Sequence, residues 1–272
     1  MNADLTDDEI DILIHQVLDI HGYDFSNYSR ASFKRRVLRL IDLFKFKTFR
    51  ELLTLVKTDK SFLERFIEEI TVNVTEMFRD PEFYISLRND ILPQLATKPF
   101  IRIWHAGCST GEEVYSMAIL LKEANLLKKS LIYATDINPG VLLKAKQGIY
   151  PLSNMKSYSE NYINCCGKED FSSYYTAQYD RAIINEDLKK KIIFSTHNLV
   201  SDRSFNEFQI IMCRNVLIYF DKTLQNNVLK VFDFSLEKLG FLALGSKETL
   251  RFSDIIQNYV QVNNQRIWKK IQ

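Results

Sequence analysis

The sequence has little cysteine and little histidine. Four residues of each type occur among 272, and no two cysteines form a CxxC pair, so neither a structural zinc site nor a disulfide framework is expected. Scarce cysteine favours a reducing compartment, and we expect the protein in the cytoplasm. The first ten residues are acidic and lack the pattern of a secretory signal. No apolar run approaches the ~20 residues that span a bilayer, so no membrane insertion is expected.

An excess of one charge sign is also absent. The 36 basic residues are nearly balanced by 34 acidic ones, for a net charge of +2. The chain therefore lacks the large positive net charge that favours nucleic-acid binding. With 46% hydrophobic and 26% charged residues the composition is that of a globular protein, and the length allows a main domain with a smaller satellite.

The first 70 residues contain no proline and a single glycine, which favours helices. From Ser32 onward, apolar residues recur at helical spacing and form one stripe, made of Phe33, Val37, Leu40, Ile41 and Phe44. Arg35 and Arg39 lie on the opposite face, with Arg36 on its flank and Lys34 at the edge of the stripe. Two further helices are predicted to begin near Thr48 and Ser61, each with a glutamate at the capping-box position.

From residue 100 the pattern changes to strands alternating with helices, which predicts an α/β sheet. Short apolar runs typical of parallel strands covered on both faces lie at 101–105, 131–135, 192–196, 209–213 and 241–244. Helices are predicted at 112–124, 141–147 and 222–239, and residues 259–270 read as a terminal hairpin. Residues 153–188 interrupt the alternation and are interpreted as a small inserted subdomain.

The sharpest local pattern is the strand at 101–105 followed by Gly107 and Gly111 and then by a helix. Glycine tolerates positive φ and lets a ligand approach the backbone, and a helix N-terminus offers free N–H groups. The spacing G-x-x-x-G is neither the dinucleotide fingerprint nor a P-loop. Glu112 and Glu113 at the helix start would repel a phosphate, so a cationic or neutral nucleoside fits better. A plain tight turn is the alternative.

The next strand ends at Asp136, where an acid can hold a ribose diol in such folds. The alternative is an N-cap for the helix that Pro139 begins; we favour the ribose role. Asn and Arg side chains in the segments 197–199 and 213–221 follow later strands, where ligand contacts arise. Cys108 and Cys213 are interpreted as core thiols, and His105 and His197 as packed or hydrogen-bonded residues.

Six ordered motifs together resemble the chemotaxis receptor methyltransferase family, CheR. They lie at residues 22–36, 73–81, 107–115, 134–137, 148–150 and 213–221. Two positions differ from the common family pattern, Met77 in place of Phe and Val114 in place of Pro, and neither removes a polar group. The resemblance covers nearly the whole chain.

The resemblance implies a Rossmann-like α/β sheet of the S-adenosylmethionine-dependent methyltransferase type. It also implies an all-helical N-terminal domain (residues 1–72), a methyltransferase domain with its linker (73–272) and an inserted small antiparallel β subdomain (153–188). The implied cofactor is S-adenosylmethionine, and the implied product is S-adenosylhomocysteine. The implied cofactor-binding residues are Asn73, Thr75, Arg79, Gly107, Glu113, Asp136, Asn198, Leu199, Arg214 and Asn215.

Arg79 and Tyr219 are the catalytic residues that the resemblance implies, Arg79 orienting a carboxylate and Tyr219 lying near the transferable methyl group. A surface salt bridge with Asp80 or Glu82 is the alternative for Arg79. The implied reaction is methyl-ester formation on glutamates of receptor cytoplasmic domains by a monomeric enzyme. The face carrying Lys34, Arg35, Arg36 and Arg39 is either merely solvated or a docking surface for acidic receptor helices.

Three alternatives stay open. One is a family member that methylates a signalling partner outside chemotaxis, and another is a scaffold that has lost the activity. The third is methylation of a small molecule or a nucleic acid. The lack of a Pro-Pro-Tyr type base-methylation motif argues against nucleic acid.

Overall fold

The computed structural model describes residues 5–71 and 75–272. In the first range helices pack around an apolar core that includes Val17, Phe25 and Phe66. Four members of the predicted stripe are buried and Phe44 packs at its edge, so the predicted helical fold of this region is confirmed. The helices are α1 (Asp7–His21), α2 (Arg30–Phe44), α3 (Phe49–Thr58) and α4 (Lys60–Ile70).

The predicted start of the fourth helix at Ser61 is wrong. The N-cap of α4 is Asp59, whose carboxylate accepts the N–H of Phe62 at 3.0 Å. A carboxylate caps a helix at least as well as a hydroxyl and also interacts favourably with the helix dipole. Thr48 caps α3 as predicted, by accepting the N–H of Glu51.

The second range forms two sheets. The strands are β1 (Ile101–Ala106), β2 (Ser130–Asp136), β3 (Ile149–Pro151), β4 (Tyr175–Gln178), β5 (Arg181–Ile184), β6 (Ile192–Thr196), β7 (Phe208–Cys213), β8 (Leu236–Leu244), β9 (Tyr259–Gln261) and β10 (Ile267–Lys270). The large sheet has the order β6-β2-β1-β7-β8-β10-β9. Its first five strands are parallel, and β10 is antiparallel to both neighbours, which confirms the predicted α/β sheet and terminal hairpin.

Alternate side chains of the large sheet point into two separate cores. In β1, Ile101 and Ile103 belong to one core, whereas Trp104 and Ala106 belong to the other. This period of two is what a sheet covered on both faces requires. The edge strand β6 is the exception, since its side chains are half-buried or exposed, so the prediction that it is covered on both faces is wrong.

Helices flank the sheet on both sides. They are α5 (Pro81–Ser86), α6 (Leu92–Ala96), α7 (Glu112–Glu123), α8 (Pro139–Gln147), α9 (Met155–Asn164), α10 (Glu186–Lys189) and α11 (Lys222–Ser235), with one π-helical turn (Leu87–Ile91) between α5 and α6. The helix predicted to reach Leu239 ends at Ser235. Leu236 is already extended and pairs with Phe208 of β7, because burial in the sheet outweighs the continuing helical spacing.

The small antiparallel sheet has the order β3-β5-β4 and packs with α9 beside α7. Phe78 of the linker inserts between the rings of Tyr84, Tyr162 and Phe171. The inserted unit therefore holds the linker against the large sheet. The domain bounds 1–72, 73–272 and 153–188 stay predictions.

The helical region docks through main-chain bonds against the segment that follows β7 of the large sheet. Ser29 N–H donates to the carbonyl of Tyr219 at 2.8 Å, and Asp221 N–H donates to the carbonyl of Asn27 at 2.9 Å. An ion pair of 2.6 Å joins Lys144 of α8 to Glu68 of α4. Within residues 5–71 and 75–272, no helix is both long and apolar enough to span a bilayer.

Candidate functional site

The glycine turn after β1 has the geometry that the sequence predicts. Gly107 and Gly111 have φ angles of 78° and 91°, which side chains rarely tolerate. A Cβ on Gly107 would also lie 2.5 Å from Cγ2 of Val216. The N–H groups of Gly107 and Cys108 both donate to the carbonyl of Thr135, at 2.8 and 2.9 Å, and tie the turn to β2.

Asp136 ends β2 and faces this turn. Its Oδ2 accepts the N–H of Ser109 at 2.9 Å and its Oδ1 accepts the N–H of Asn138 at 3.0 Å. Burial raises the pKa of Asp136, and these backbone bonds offset the rise in part. The N-cap of α8 is Asn138, whose side chain accepts the N–H of Gly140. The alternative in which Asp136 caps this helix is therefore wrong.

Glu113 and Arg214 form the centre of a buried charged network. Arg214 Nη1 donates to Glu113 Oε2 at 2.9 Å, and its Nη2 donates to Asp80 Oδ2 at 2.7 Å. The other Glu113 oxygen lies 3.0 Å from His105 Nδ1. Burial favours the neutral forms, but the hydrogen bond from His105 and the attraction between the two charges outweigh it, so the pKa of Glu113 falls and the pKa of Arg214 rises. Both groups are ionised at neutral pH.

The linker presents Arg79 from a strained turn. Phe78 and Asp80 on either side of it have φ angles of 54° and 59°, which costs side chains other than glycine about 1–2 kcal/mol each. The N–H of Phe78 donates to Ser116 Oγ at 2.9 Å and anchors the turn to α7. Among the described residues Arg79 has no ion pair within 4.0 Å, because Asp80 pairs with Arg214 instead. The alternative of a surface salt bridge with Asp80 is therefore wrong.

The loops after β6 and β7 complete the site. The Asn198 side chain accepts the N–H of Val200 at 2.9 Å, which shapes its loop. Asn215 has a φ of 62°, and its N–H donates to Glu248 Oε2 at 2.9 Å. Tyr219 is half-buried beyond it. Burial raises the pKa of its hydroxyl, while the charges of Arg36 and Arg79 partly offset the rise.

One cavity brings the candidate residues together at the carboxyl ends of β1, β2, β6 and β7. Asn73 lies outside the described residues. The other candidates all line the cavity, namely Thr75, Arg79, Gly107, Glu113, Asp136, Asn198, Leu199, Arg214, Asn215 and Tyr219. Their individual roles stay predictions.

The cavity also contains residues that the sequence did not single out. They are Tyr28, Ile70, Thr71, Glu76, Ser109, Ile137, Val200, Val216 and Phe220. Cys108 and His197, interpreted from the sequence as packed residues, are buried but form part of its wall. Tyr28 comes from the helical region, and only the docking of that region brings it to the site. No local pattern in the sequence could reveal this.

Comparison with known proteins places both parts of the chain in one protein family. The family model described as the CheR methyltransferase all-alpha domain matches residues 8–71, and the one described as its SAM binding domain matches residues 73–265. A Pseudomonas putida protein provisionally named methyltransferase Cher3 is 47% identical over 97% of both chains.

Two further relatives are named chemotaxis protein methyltransferase. The one from Borreliella burgdorferi is 34% identical and covers 92% of this chain and 91% of its own. The one from Salmonella typhimurium is 30% identical and covers 88% of this chain and 82% of its own.

Proposed function

The chain belongs to the CheR family of S-adenosylmethionine-dependent methyltransferases, and we propose that it forms methyl esters on glutamate side chains of chemotaxis receptors in the cytoplasm. The observation that carries the proposal is that Arg79 and Tyr219 line the same cavity as Asp136 and Glu113, with the charge of Arg79 acting on the Tyr219 hydroxyl. One opening thus combines groups suited to the cofactor with a cation suited to a carboxylate substrate.

The cavity has an open volume and polar groups that suit the cofactor. About 990 Å³ lies free of protein atoms within it, including its mouth to solvent. Gly107 leaves a concave backbone where any side chain would collide with Val216. The buried Ser109 Oγ has no hydrogen-bond partner among the described residues, so it is available to a polar ligand.

The polar groups of the cavity match the chemical parts of the cofactor. Asp136 would hold the ribose hydroxyls, and Glu113, which can accept bonds beyond those from Arg214 and His105, would hold the ammonium group. Apolar groups such as Leu199 and Phe220 suit the purine ring. The carboxylate of the amino-acid part would be bound by cationic and hydroxyl groups from the linker and from the end of β7.

The methyl transfer needs no general base. The cofactor supplies an electrophilic methyl group on its sulfonium, and a glutamate with a pKa of about 4.3 is already ionised at neutral pH. Arg79 would bind and orient the incoming carboxylate, because a guanidinium holds it in a fixed plane. The raised pKa keeps the Tyr219 hydroxyl protonated, so it can donate a hydrogen bond at the reaction centre. The docked helical region contributes Tyr28, Ile70 and Thr71 to the wall of the cavity and so shields part of it from solvent.

A second candidate is methylation of a signalling protein outside chemotaxis. The relative with 47% identity is named only as a methyltransferase, whereas the relatives named for chemotaxis are about 30–34% identical. The family site would be the same in both cases, and the acceptor protein would differ.

Transfer of labelled methyl groups tests both candidates. The purified protein with methyl-labelled cofactor should label a receptor-containing membrane fraction, and mild alkali should release the label as methanol. Arg79→Ala should abolish labelling, while the exposed Arg251→Ala should not. Label that resists alkali would mean acceptance by nitrogen and would refute the glutamate proposal. Alkali-labile label confined to soluble proteins would support the second candidate.

A further inference from the structure

Tyr28 joins the core of the helical region to the methyltransferase sheet. Its ring packs edge-on against Phe25 of the helical core at 4.8 Å and against Phe220 after β7 at 5.0 Å between centroids. It is also in contact with the apolar clusters of both regions. The position of this ring is therefore fixed from two sides.

The backbone around Tyr28 is bonded to the segment that carries Tyr219. Tyr28 and Phe220 form an antiparallel bridge. The main-chain bonds of Ser29 to Tyr219 and of Asp221 to Asn27 form this bridge. Sheet-like main-chain hydrogen bonds thus fix the position of Tyr28 at the cavity when the helical region is docked.

Tyr28 lines the cavity together with Asp136, whose charge acts on the Tyr28 hydroxyl. Burial, and then the charge of Asp136, raise the pKa of Tyr28, so the phenol stays a hydrogen-bond donor. Among the described residues this hydroxyl has no hydrogen-bond partner, and Asp136 is already satisfied by two backbone N–H groups. Because Tyr28 is half-buried and lines an open cavity, its hydroxyl is free to donate to an acceptor on a ligand that enters there.

We propose that Tyr28 is a cofactor-binding residue contributed by the helical region, with its hydroxyl donating to the nucleoside part of the cofactor beside Asp136. The inference rests on the cofactor role proposed above for Asp136. It implies that the cofactor site is complete only when the helical region is docked. Cofactor binding and docking then favour each other by the same factor.

Calorimetric titration with S-adenosylhomocysteine tests the contact directly. Tyr28→Phe removes the hydroxyl and keeps the ring, so the two cores should remain joined. We expect affinity to fall about 3- to 10-fold, the range for loss of one neutral hydrogen bond. Tyr23→Phe is the matched control, since Tyr23 is a half-buried tyrosine of the same region that does not line the cavity. Its affinity should equal that of the unmodified protein.

Hydrogen exchange provides a second measurement. S-adenosylhomocysteine should slow exchange in residues 25–30 of the unmodified protein and do so less in Tyr28→Phe. Unchanged affinity in Tyr28→Phe, with Asp136→Asn still weakened, would overturn the Tyr28 contact alone. Unchanged affinity in both variants would overturn the proposed ribose site together with it. Absence of any ligand effect on exchange in residues 25–30 would overturn the link to docking.

Discussion

At the scale of single residues, Tyr219 is the side chain whose surroundings most favour a role in the reaction. Burial keeps its hydroxyl neutral, and Arg36 and Arg79 approach it closely enough to counteract part of the rise in its pKa. A neutral donor near two guanidinium groups can orient an incoming carboxylate. A Tyr219 hydroxyl with this role contributes to turnover and adds little to cofactor affinity.

Tyr219→Phe should therefore lower kcat on the order of 100-fold, as loss of one donor aimed at a reaction centre does, with little change in S-adenosylhomocysteine affinity. Steady-state kinetics and calorimetry measure the two effects separately. Tyr179→Phe is the control, because that side chain is 93% exposed at a hairpin tip. Equal losses of turnover and affinity would instead make Tyr219 a cofactor-holding residue.

Glu112 makes stability depend on pH. It is buried, and burial raises its pKa from 4.5 to about 7, with a hydrogen bond from Thr110 opposing the rise. Because the folded state prefers the protonated acid, its contribution to stability is complete below about pH 4.5 and is lost as pH rises towards about 7. The neighbouring Glu113 behaves oppositely, since its pKa is lowered.

Glu112→Gln should abolish this loss, because the amide is neutral and can still accept the Thr110 hydroxyl. We expect the variant to gain about 2–3 kcal/mol in free energy of unfolding, relative to the unmodified protein, between pH 4.5 and pH 8. Urea unfolding of both proteins at several pH values measures the difference. Parallel stability curves would show that Glu112 titrates normally.

At the scale of structural elements, the turn at Phe78–Asp80 shows how the fold holds the side chain of Arg79 at the cavity. Two residues other than glycine adopt left-handed backbone, and each flank is anchored, Phe78 by Ser116 Oγ and Asp80 by Arg214. Arg214 Nη2 also lies 3.4 Å from the Arg79 carbonyl. We therefore expect the pair of Asp80 and Arg214 to position Arg79 through its backbone.

Asp80→Asn tests this positioning because asparagine also tolerates left-handed backbone, so the change removes mainly the charge. We expect kcat/KM for the receptor to fall about 10-fold, the effect of one charge-assisted bond, and cofactor affinity to fall by a smaller factor, because Arg79 and Arg214 also belong to the proposed cofactor site. Asp80→Glu should restore part of the activity, and the exposed Glu82→Gln should have no effect. Normal receptor kinetics in Asp80→Asn would show that the turn is held without this pair.

Element bounds show which sequence patterns can be trusted. The strands leading into the site were predictable, because apolar runs ending in Gly107 or Asp136 have few other interpretations. Helix ends were less predictable. The spacing of Leu236 and Leu239 continues α11, but pairing of Leu236 with Phe208 ends the helix at Ser235. Such ends depend on partners distant in sequence.

At the scale of the whole molecule, the same limit applies to the site. Ten of the eleven predicted site residues line one cavity because they follow strands of one sheet or belong to the linker, and both features are readable along the chain. Tyr28 reaches this cavity only through docking of the helical region, which also brings the charge of Arg36 near Tyr219. The partner of Asp80 was likewise not predictable, since Arg214 lies far along the chain.

Docking also divides the basic face of α2 into two parts. Arg35 and Arg39 are exposed, as predicted. Arg36 is half-buried, and its Nη1 donates to the Glu69 carbonyl at 3.2 Å. Since Arg36 also affects the pKa of Tyr219, replacing all three arginines would combine a change at the site with a change at the surface.

The double variant Arg35→Glu, Arg39→Glu therefore tests receptor docking with less disturbance of the site, because Arg35 acts on the pKa of Tyr219 more weakly than Arg36 does. We expect the KM for receptor to rise, with cofactor affinity unchanged, because each exposed ion pair contributes only about 0–1 kcal/mol and the effect needs several together. Salt should weaken the unmodified reaction as the Debye length falls below ~10 Å and should affect the variant less. Lys57→Glu, Arg65→Glu makes the same charge change on α3 and α4 and should leave KM almost unchanged. If both double variants change the KM for receptor equally, the effect comes from overall charge and not from this face of α2. If neither variant changes the KM, this face is merely solvated.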